Sequence, residues 1–106
     1  MEWKKVFSGV NEAGEKVPRG TIRRIIIKSH IISLAHVGDH FYAFEDSCPH
    51  KSVSLKDGTI NYLGEIVCPL HNYQYDLKTG RECNSRTRDL KIYRIQINDE
   101  GFFIEV

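Results

Sequence analysis

The sequence lacks long apolar runs and has almost no net charge. Its unbroken apolar stretches are only a few residues long, as at residues 25–27, so no segment is long enough to span a membrane. The charged start at residues 1–5 leads into no apolar signal-peptide core. Fifteen lysines and arginines against fourteen aspartates and glutamates leave a net charge of +1, which gives no reason to expect nucleic acid as a partner. We therefore expect a cytoplasmic protein that binds neither nucleic acid nor membrane.

Cysteine is scarce and its count is odd. Three cysteines cannot all pair in one disulfide framework, and in a reducing compartment cysteines near histidines more often bind metal or take part in catalysis. The 106 residues contain no repeat, low-complexity tract or linker. This length is that of one ordinary domain, so we expect a single domain over residues 1–106.

No segment has a convincing apolar period of 3.6 residues, so helices are not expected. Runs rich in β-branched and aromatic residues instead alternate with turns, and residues 31–45 form a predicted hairpin around Gly38 and Asp39. The regular spacing of short strands predicts an all-β sandwich or barrel. The predicted strands cover residues 2–8, 21–29, 31–37, 40–45, 59–62, 65–68, 72–77, 90–97 and 102–106.

Two short loops contain most of the chemically distinctive residues: C-P-H at residues 48–50 and C-P-L-H at residues 68–71, with seventeen residues between them. Thiolate and imidazole groups are both good ligands for zinc and for iron. Each loop follows a strand-like run, so a scaffold can hold the two loops side by side. The candidate ligands are Cys48, His50, Cys68 and His71.

Three interpretations of these four side chains are open. They can be buried cysteines and satisfied histidines without a joint role. They can bind one structural zinc ion, although zinc fingers normally group like ligands in one loop and each loop here mixes them. They can bind a [2Fe–2S] cluster, with both thiolates on one iron and both imidazoles on the other, each loop giving one ligand to each iron.

The paired motif C-x-H and C-x-x-H resembles the signature of the Rieske [2Fe–2S] family. Residues 42–55 resemble the family's first loop with its approach strand, residues 66–80 its second loop, and residues 90–106 its closing hairpin. The resemblance covers roughly residues 2–106. It implies three small antiparallel sheets with two cluster-binding loops at one tip, the four candidate ligands as cluster ligands, and one-electron transfer.

The resemblance also implies a range for the reduction potential. Rieske clusters lie at about −150 to +300 mV, against roughly −400 mV for plant-type ferredoxins, because two neutral imidazoles replace two thiolates. High-potential members carry an extra cysteine in each loop, where this chain has Val53 and Leu70. A serine that bonds a cluster sulfur corresponds to Tyr73, and a tyrosine that bonds a cysteine sulfur corresponds to Tyr75. We expect a low potential, raised slightly by Tyr75.

The chain departs from the family just after both histidines, where small residues are common. Lys51 and Ser52 follow the first histidine and Asn72 follows the second. Asparagine takes a positive φ more readily than most non-glycine residues, so Ser52 is the greater departure. We expect Ser52, Tyr73 and Tyr75 to surround the cluster ligands.

The function implied by the resemblance is a ferredoxin that passes electrons from a reductase to a terminal oxygenase. The alternative is the small subunit of an assimilatory NAD(P)H nitrite reductase, with the large subunit as its partner. A zinc-stabilised domain and a non-redox interaction module remain open. No nucleophile–base pair, phosphate-binding loop or carboxylate constellation is present, so we expect an electron-carrier component rather than an enzyme acting alone.

The remaining candidates have simpler interpretations. Cys83 is expected to be a small buried residue, and Trp3 to pack in the core or at an edge. The other three histidines are expected to be surface or capping residues: His30, His36 and His40. Residues 81–94 hold five basic and two acidic side chains, which indicates a solvated strand face or a docking patch for an acidic partner.

Overall fold

The computed structural model describes residues 1–106, which form three small antiparallel sheets, one helix and one 3-10 turn. The predicted all-β class and the three-sheet architecture are confirmed. The elements in chain order are β1 (Trp3–Phe7), α1 (Val10–Lys16), β2 (Ile22–Ile27), β3 (His30–Val37), β4 (His40–Glu45), the 3-10 turn (Leu55–Asp57), β5 (Thr59–Ile60), β6 (Glu65–Val67), β7 (Gln74–Asp76), β8 (Ile92–Tyr93), β9 (Ile95–Asn98) and β10 (Gly101–Glu105).

Each face of the four-stranded sheet β2-β3-β4-β8 borders a different hydrophobic core, so this sheet packs between the other two. Successive side chains of a strand point to opposite faces. Leu34 and Ala43 therefore join the core that contains Phe102 of sheet β1-β10-β9, whereas Ala35 and Phe44 join the core beside sheet β5-β6-β7. Both faces are buried, which explains the nearly continuous apolar runs of β3 and β4.

The predicted hairpin at residues 31–45 is confirmed by β3 and β4. The two strands pair from Ile32 with Glu45 to Val37 with His40. Gly38 takes a φ of 60° in the connecting turn, a conformation that glycine adopts without strain. The hairpin leads directly toward Cys48, so its register sets where the first candidate-ligand loop begins.

The helix α1 was not predicted, and the expectation that the chain lacks helices is wrong. Among its seven residues only Ala13 is buried, so the sequence has too few apolar positions to show a helical period. The Glu12 carboxylate accepts a hydrogen bond from the Ser8 N–H at 2.8 Å, which ties the helix to the residue before its Gly9 N-cap. The sequence signals for this helix are the acidic Glu12 in its first turn and the basic Lys16 in its last turn, which suit the helix dipole. No helix of the structure is long and apolar enough to cross a membrane.

The predicted strand at residues 90–97 is two strands in different sheets. Ile92 and Tyr93 pair with β4, whereas the strand that begins at Ile95 pairs with β10. Arg94 lies between the two strands, and its carbonyl accepts a hydrogen bond from the Glu105 N–H at 2.9 Å. The change of sheet accounts for the imperfect apolar alternation of this run, because its residues face two different cores.

Candidate metal centre

The two candidate-ligand loops close in the same way. The Cys48 N–H donates to the Val53 carbonyl at 2.9 Å, and the Cys68 N–H donates to the Tyr73 carbonyl at 2.7 Å. Each bond joins a cysteine to the residue five positions later, so each loop is a closed turn that begins at its cysteine. We call residues 48–53 loop 1 and residues 68–73 loop 2.

Loop 1 is anchored by a buried carboxylate that sequence reasoning did not single out. Asp46 accepts hydrogen bonds from the Ser33 hydroxyl of β3 at 2.7 Å and from the Ser54 hydroxyl at 2.8 Å. Its carbonyl also accepts from the Leu55 N–H at 2.7 Å. Because Asp46 precedes loop 1, and Ser54 and Leu55 follow it, both ends of the loop are tied to the same point of the sheet.

Both loops contain residues in the left-handed region of backbone conformation. Asn72 has a φ of 57°, as its residue type allows, and Ser52 has the same φ without being a glycine or asparagine. His71 adds a φ of 64°. A non-glycine residue in this region costs about 1–2 kcal/mol, so other contacts must hold the loops in place.

The two cysteines form a buried pair without a disulfide. Cys48 and Cys68 are almost fully shielded from solvent and belong to the same core as Phe44 and Leu77. Burial and, to a smaller extent, the neighbouring Cys48 thiol raise the pKa of Cys68 to about 11, against a hydrogen bond from the Leu70 backbone that lowers it. Bare thiolates are therefore disfavoured here, whereas a bound cation would stabilise them.

Tyr75 lies next to the cysteine pair. Its side chain is fully buried, and its hydroxyl oxygen is 3.5 Å from Cys48 Sγ. The Thr87 hydroxyl donates to the same tyrosine oxygen at 3.4 Å. This contact can place a hydrogen-bond donor against the sulfur of a cysteine ligand.

The two histidines form a second pair. The rings of His50 and His71 have centroids 5.3 Å apart. His71 is exposed and His50 is half-buried. His50 Nδ1 is the only buried side-chain nitrogen or oxygen in the structure without a hydrogen-bond partner. Burial lowers the pKa of His50, and the nearby His71 and Lys51 lower it further, which favours the neutral ring that binds metal.

The four side chains form one pair of thiols and one pair of imidazoles. No group of three or more histidine, cysteine, aspartate or glutamate side chains is arranged to hold a single metal ion. Two pairs suit a two-iron centre, in which each iron takes two protein ligands.

An aromatic and cationic stack covers His50 from the side. The Tyr73 ring lies parallel to the His50 ring, with centroids 3.8 Å apart and an angle of 7° between the planes. The Arg86 guanidinium lies 3.8 Å from the centroid of the same Tyr73 ring. Sequence reasoning named Tyr73 as the position of the family's sulfur-bonding serine, but here its ring makes the contact with His50. Arg86 was named only as one member of a basic run.

The comparison with protein families agrees with this geometry. The model of the Rieske [2Fe-2S] domain matches residues 10–94. The chain belongs to the Rieske [2Fe–2S] domain family. A Rieske-type [2Fe–2S] cluster is therefore its cofactor, and the unpartnered His50 Nδ1 beside His71 and the disulfide-free cysteine pair fit such a group.

Curated Rieske relatives are ferredoxins of one kind of enzyme system. The 3-phenylpropionate/cinnamic acid dioxygenase ferredoxin subunits of Shigella boydii serotype 4 and of Escherichia coli strain K12 are each 35% identical over 91 residues. The match covers 85% of this chain and 85% of each relative.

Solved Rieske structures give the same fold. A structure of the reduced oxygenase with the oxidised ferredoxin of carbazole 1,9a-dioxygenase contains a chain 30% identical to this one, with a TM-score of 0.78, covering 96% of this chain and 91% of that chain. The carbazole 1,9a-dioxygenase ferredoxin of Nocardioides aromaticivorans IC177 is 18% identical with a TM-score of 0.81, over 98% and 97% of the chains. A candidate NADPH nitrite reductase small subunit is 17% identical with a TM-score of 0.80, over the whole of both chains.

Not every predicted neighbour of the four candidate ligands contributes its side chain. Tyr73 does so through its stack on His50, and Tyr75 through its contact with Cys48. Ser52 is exposed, and its backbone N–H donates to the Cys48 carbonyl at 2.7 Å. It therefore shapes loop 1 through the backbone.

Two expectations for residues outside the ligand set are wrong. Cys83 is exposed rather than buried, and its thiol donates to the Glu82 carboxylate at 3.3 Å. His36 is buried rather than at the surface. Its Nδ1 lies 2.7 Å from the Val17 carbonyl and its ring stacks on Phe41, because the unpredicted helix brings Val17 against β3.

The other expectations hold or change only slightly. Trp3 lies on the edge strand β1 and is 38% exposed, and His40 is exposed. His30 is half-buried, with its Nδ1 3.3 Å from the Tyr93 hydroxyl. Three arginines of the basic run at residues 81–94 form ion pairs with Glu82, Glu45 and Glu105, which reduces the free positive charge of this run.

Proposed function

We propose that this chain is a one-electron carrier whose cluster is held by Cys48 and Cys68 on one iron and by His50 and His71 on the other. The observation that carries the proposal is the sorting of the four side chains into a buried thiol pair and an imidazole pair that contains a buried, unpartnered nitrogen. When bound, the cluster accepts and releases a single electron.

The protein's own residues account for the rest of the proposed role. The buried cysteines keep water from one side of the site. Tyr75 directs its hydroxyl toward Cys48, and the loop backbones fix the positions of the ligands. His71 is exposed while His50 is half-buried, so a redox partner approaches the site from the His71 side.

The proposed system is one that feeds an oxygenase. The curated relatives are ferredoxin subunits of a dioxygenase, and the ferredoxin that is 30% identical was solved in a complex with its oxygenase. A reductase that supplies the electron and a terminal oxygenase that receives it are the proposed partners. The cytoplasm is the proposed location.

The alternatives have less support. The likeness to a nitrite reductase small subunit, at 17% identity, concerns the fold alone. A zinc-stabilised domain normally groups like ligands in one loop, whereas each loop here mixes a cysteine with a histidine. A non-redox module does not need the complete set of four ligands that this chain keeps.

The test is an electron paramagnetic resonance spectrum of the dithionite-reduced protein, with iron and zinc analysis. We expect about two irons per chain and the low average g value of a histidine-ligated two-iron centre. Zinc without iron in protein prepared both with and without oxygen would overturn the proposal. A matched genomic test is a neighbouring gene for an oxygenase, whereas one for a sirohaem-containing large subunit would favour the nitrite reductase system.

A further inference from the structure

Tyr73 is sandwiched between a candidate ligand and a cation. Both the His50 ring and the Arg86 guanidinium lie 3.8 Å from the Tyr73 ring centroid. Two planar groups cannot share one face of a ring at this distance, so they occupy opposite faces. The order of the stack is therefore His50, Tyr73, Arg86.

Arg86 is held in place by a buried carboxylate. The Glu82 side chain is almost fully buried and accepts hydrogen bonds from the Arg86 N–H at 2.7 Å, from Nε at 3.2 Å and from Nη2 at 2.9 Å. The contact with Arg86 holds the pKa of Glu82 at about 2, well below its usual value. A guanidinium fixed by two hydrogen bonds to one carboxylate keeps one position, unlike an arginine that is free in solvent.

We propose that Tyr73 and Arg86 are positioning residues for His50, which orient its ring and place a fixed positive charge that raises the reduction potential of the site. The inference rests on the proposed function, because it takes His50 as a cluster ligand. The two residues come from different parts of the chain. Tyr73 supplies its ring from loop 2, and Arg86 supplies its charge from the segment after Cys83.

The charge is close enough to act. Two stacking distances of 3.8 Å put the guanidinium within about one Debye length, ~8 Å at physiological salt, of the His50 ring. The Tyr73 ring rather than water fills the intervening space, which weakens screening, whereas the 42% exposure of the Arg86 side chain and the negative charge of Glu82 reduce the size of the effect. A positive charge stabilises the reduced state, which carries one more electron, and so raises the potential.

The stack also restricts the imidazole. A parallel ring at 3.8 Å opposes rotation of His50 about its side-chain bonds, while His71 has no such cover. The two histidines should therefore differ in how firmly their rings are oriented, with His50 the more fixed.

The experiment compares Arg86→Gln with Arg94→Gln. Arg94 is a matched control, because it also lies over an aromatic ring, that of Trp3, and also pairs with a glutamate, Glu105, but at another place in the fold. Both variants lose one positive charge. We expect the midpoint potential of the cluster-loaded protein to fall in Arg86→Gln and to stay unchanged in Arg94→Gln.

Further variants separate the effects of charge, stacking and folding. The double variant Glu82→Gln/Arg86→Gln is compared with Glu82→Gln, because both lack the buried carboxylate and they differ only in the Arg86 charge. This pair tests the potential even if Arg86→Gln loses its cluster. Arg86→Lys keeps the charge and should restore most of the potential. Tyr73→Leu should change the nitrogen couplings of one histidine in the magnetic resonance spectrum, whereas Tyr73→Phe should not.

The outcomes distinguish this inference from the proposed function. Equal potentials in Glu82→Gln and in the double variant, with normal iron content and spectra, would overturn the role of Arg86 and leave the electron-carrier proposal intact. Unchanged histidine couplings in Tyr73→Leu would overturn the role of Tyr73. A wild-type protein without a histidine-ligated two-iron signal would overturn the proposed function itself.

Discussion

Loops 1 and 2 share a backbone frame but present their histidines differently. Each begins with a cysteine whose N–H bonds to the carbonyl five residues later, and each has a φ of 57° at its fifth residue, Ser52 or Asn72. The histidine is the third residue of loop 1 and the fourth residue of loop 2. His50 is half-buried and His71 is exposed with a φ of 64°.

A one-residue offset in the position of the histidine accompanies this difference in exposure. The last residue of loop 1 is Val53, whereas the last residue of loop 2 is Tyr73, whose ring reaches across and covers His50. Loop 2 thus supplies both the exposed histidine and the cover for the other one. Each loop supplies one candidate cysteine and one candidate histidine, but the two histidines differ in how far they are exposed to solvent.

The largest effect is expected from removing the cysteine that begins each loop. Cys48→Ala and Cys68→Ala should each abolish cluster binding, because one iron would keep a single protein ligand. Iron analysis and the visible absorption spectrum of the purified variants measure this. The matched control is Cys83→Ala, which removes the exposed third cysteine and should leave both readouts unchanged. Normal iron in a Cys48 or Cys68 variant would remove that residue from the ligand set.

The next effect separates the two histidines. His50→Gly and His71→Gly should each abolish or alter the Rieske spectrum. Added imidazole should restore the spectrum more readily in His71→Gly, because that position is open to solvent while His50 lies behind Tyr73 and Arg86. Spectra recorded during imidazole titration, with wild type as the control, measure the difference. Equal rescue of the two variants would contradict the inequality of the loops.

A smaller effect tests a contact made with loop 1. Tyr75→Phe removes the hydroxyl near Cys48 Sγ and should lower the reduction potential by roughly 20–60 mV, the equivalent of one hydrogen bond for a one-electron couple. Voltammetry of the cluster-loaded protein measures the midpoint. Tyr93→Phe is the control, because its hydroxyl contacts His30 instead. An unchanged midpoint would show that the Tyr75 hydroxyl does not bond the sulfur.

The smallest effect compares the matched fifth residues of the loops. Ser52→Gly should stabilise the protein by up to about 1 kcal/mol, because glycine relieves the strain of a positive φ. Asn72→Gly should gain less, since asparagine tolerates this conformation better. Thermal unfolding of the cluster-loaded variants measures both. A larger gain from Asn72→Gly would mean that the loops are strained in the opposite order.

Local patterns in the sequence were enough to predict the β-rich fold and the candidate ligands. The hairpin of β3 and β4 follows from β-branched runs around Gly38, and the ligands follow from residue types at fixed spacing. These features depend on neighbours in the chain. The family resemblance added the arrangement of three sheets, which periodicity alone left as a sandwich or barrel.

The features that were missed depend on contacts between distant residues. The stack joins His50, Tyr73 and Arg86, and no spacing rule connects them. The burial of His36 requires Val17, which follows a helix with a single buried residue. The strand break at Arg94 reflects a change of sheet partner rather than a turn signal. Such features arise from packing, which a one-dimensional pattern does not record.

Cys48 and Cys68 belong to the core beside sheet β5-β6-β7, and this has a consequence for how much of the protein accumulates. These cysteines pack with Phe44, Tyr75 and Leu77, so two of the candidate ligands are also part of the packing that holds the strands together. Binding to the folded state alone stabilises it in proportion to the free energy of binding. Chains made while iron or sulfide is short would unfold more often and be degraded sooner. The supply of iron would then set the abundance of the carrier as well as its activity.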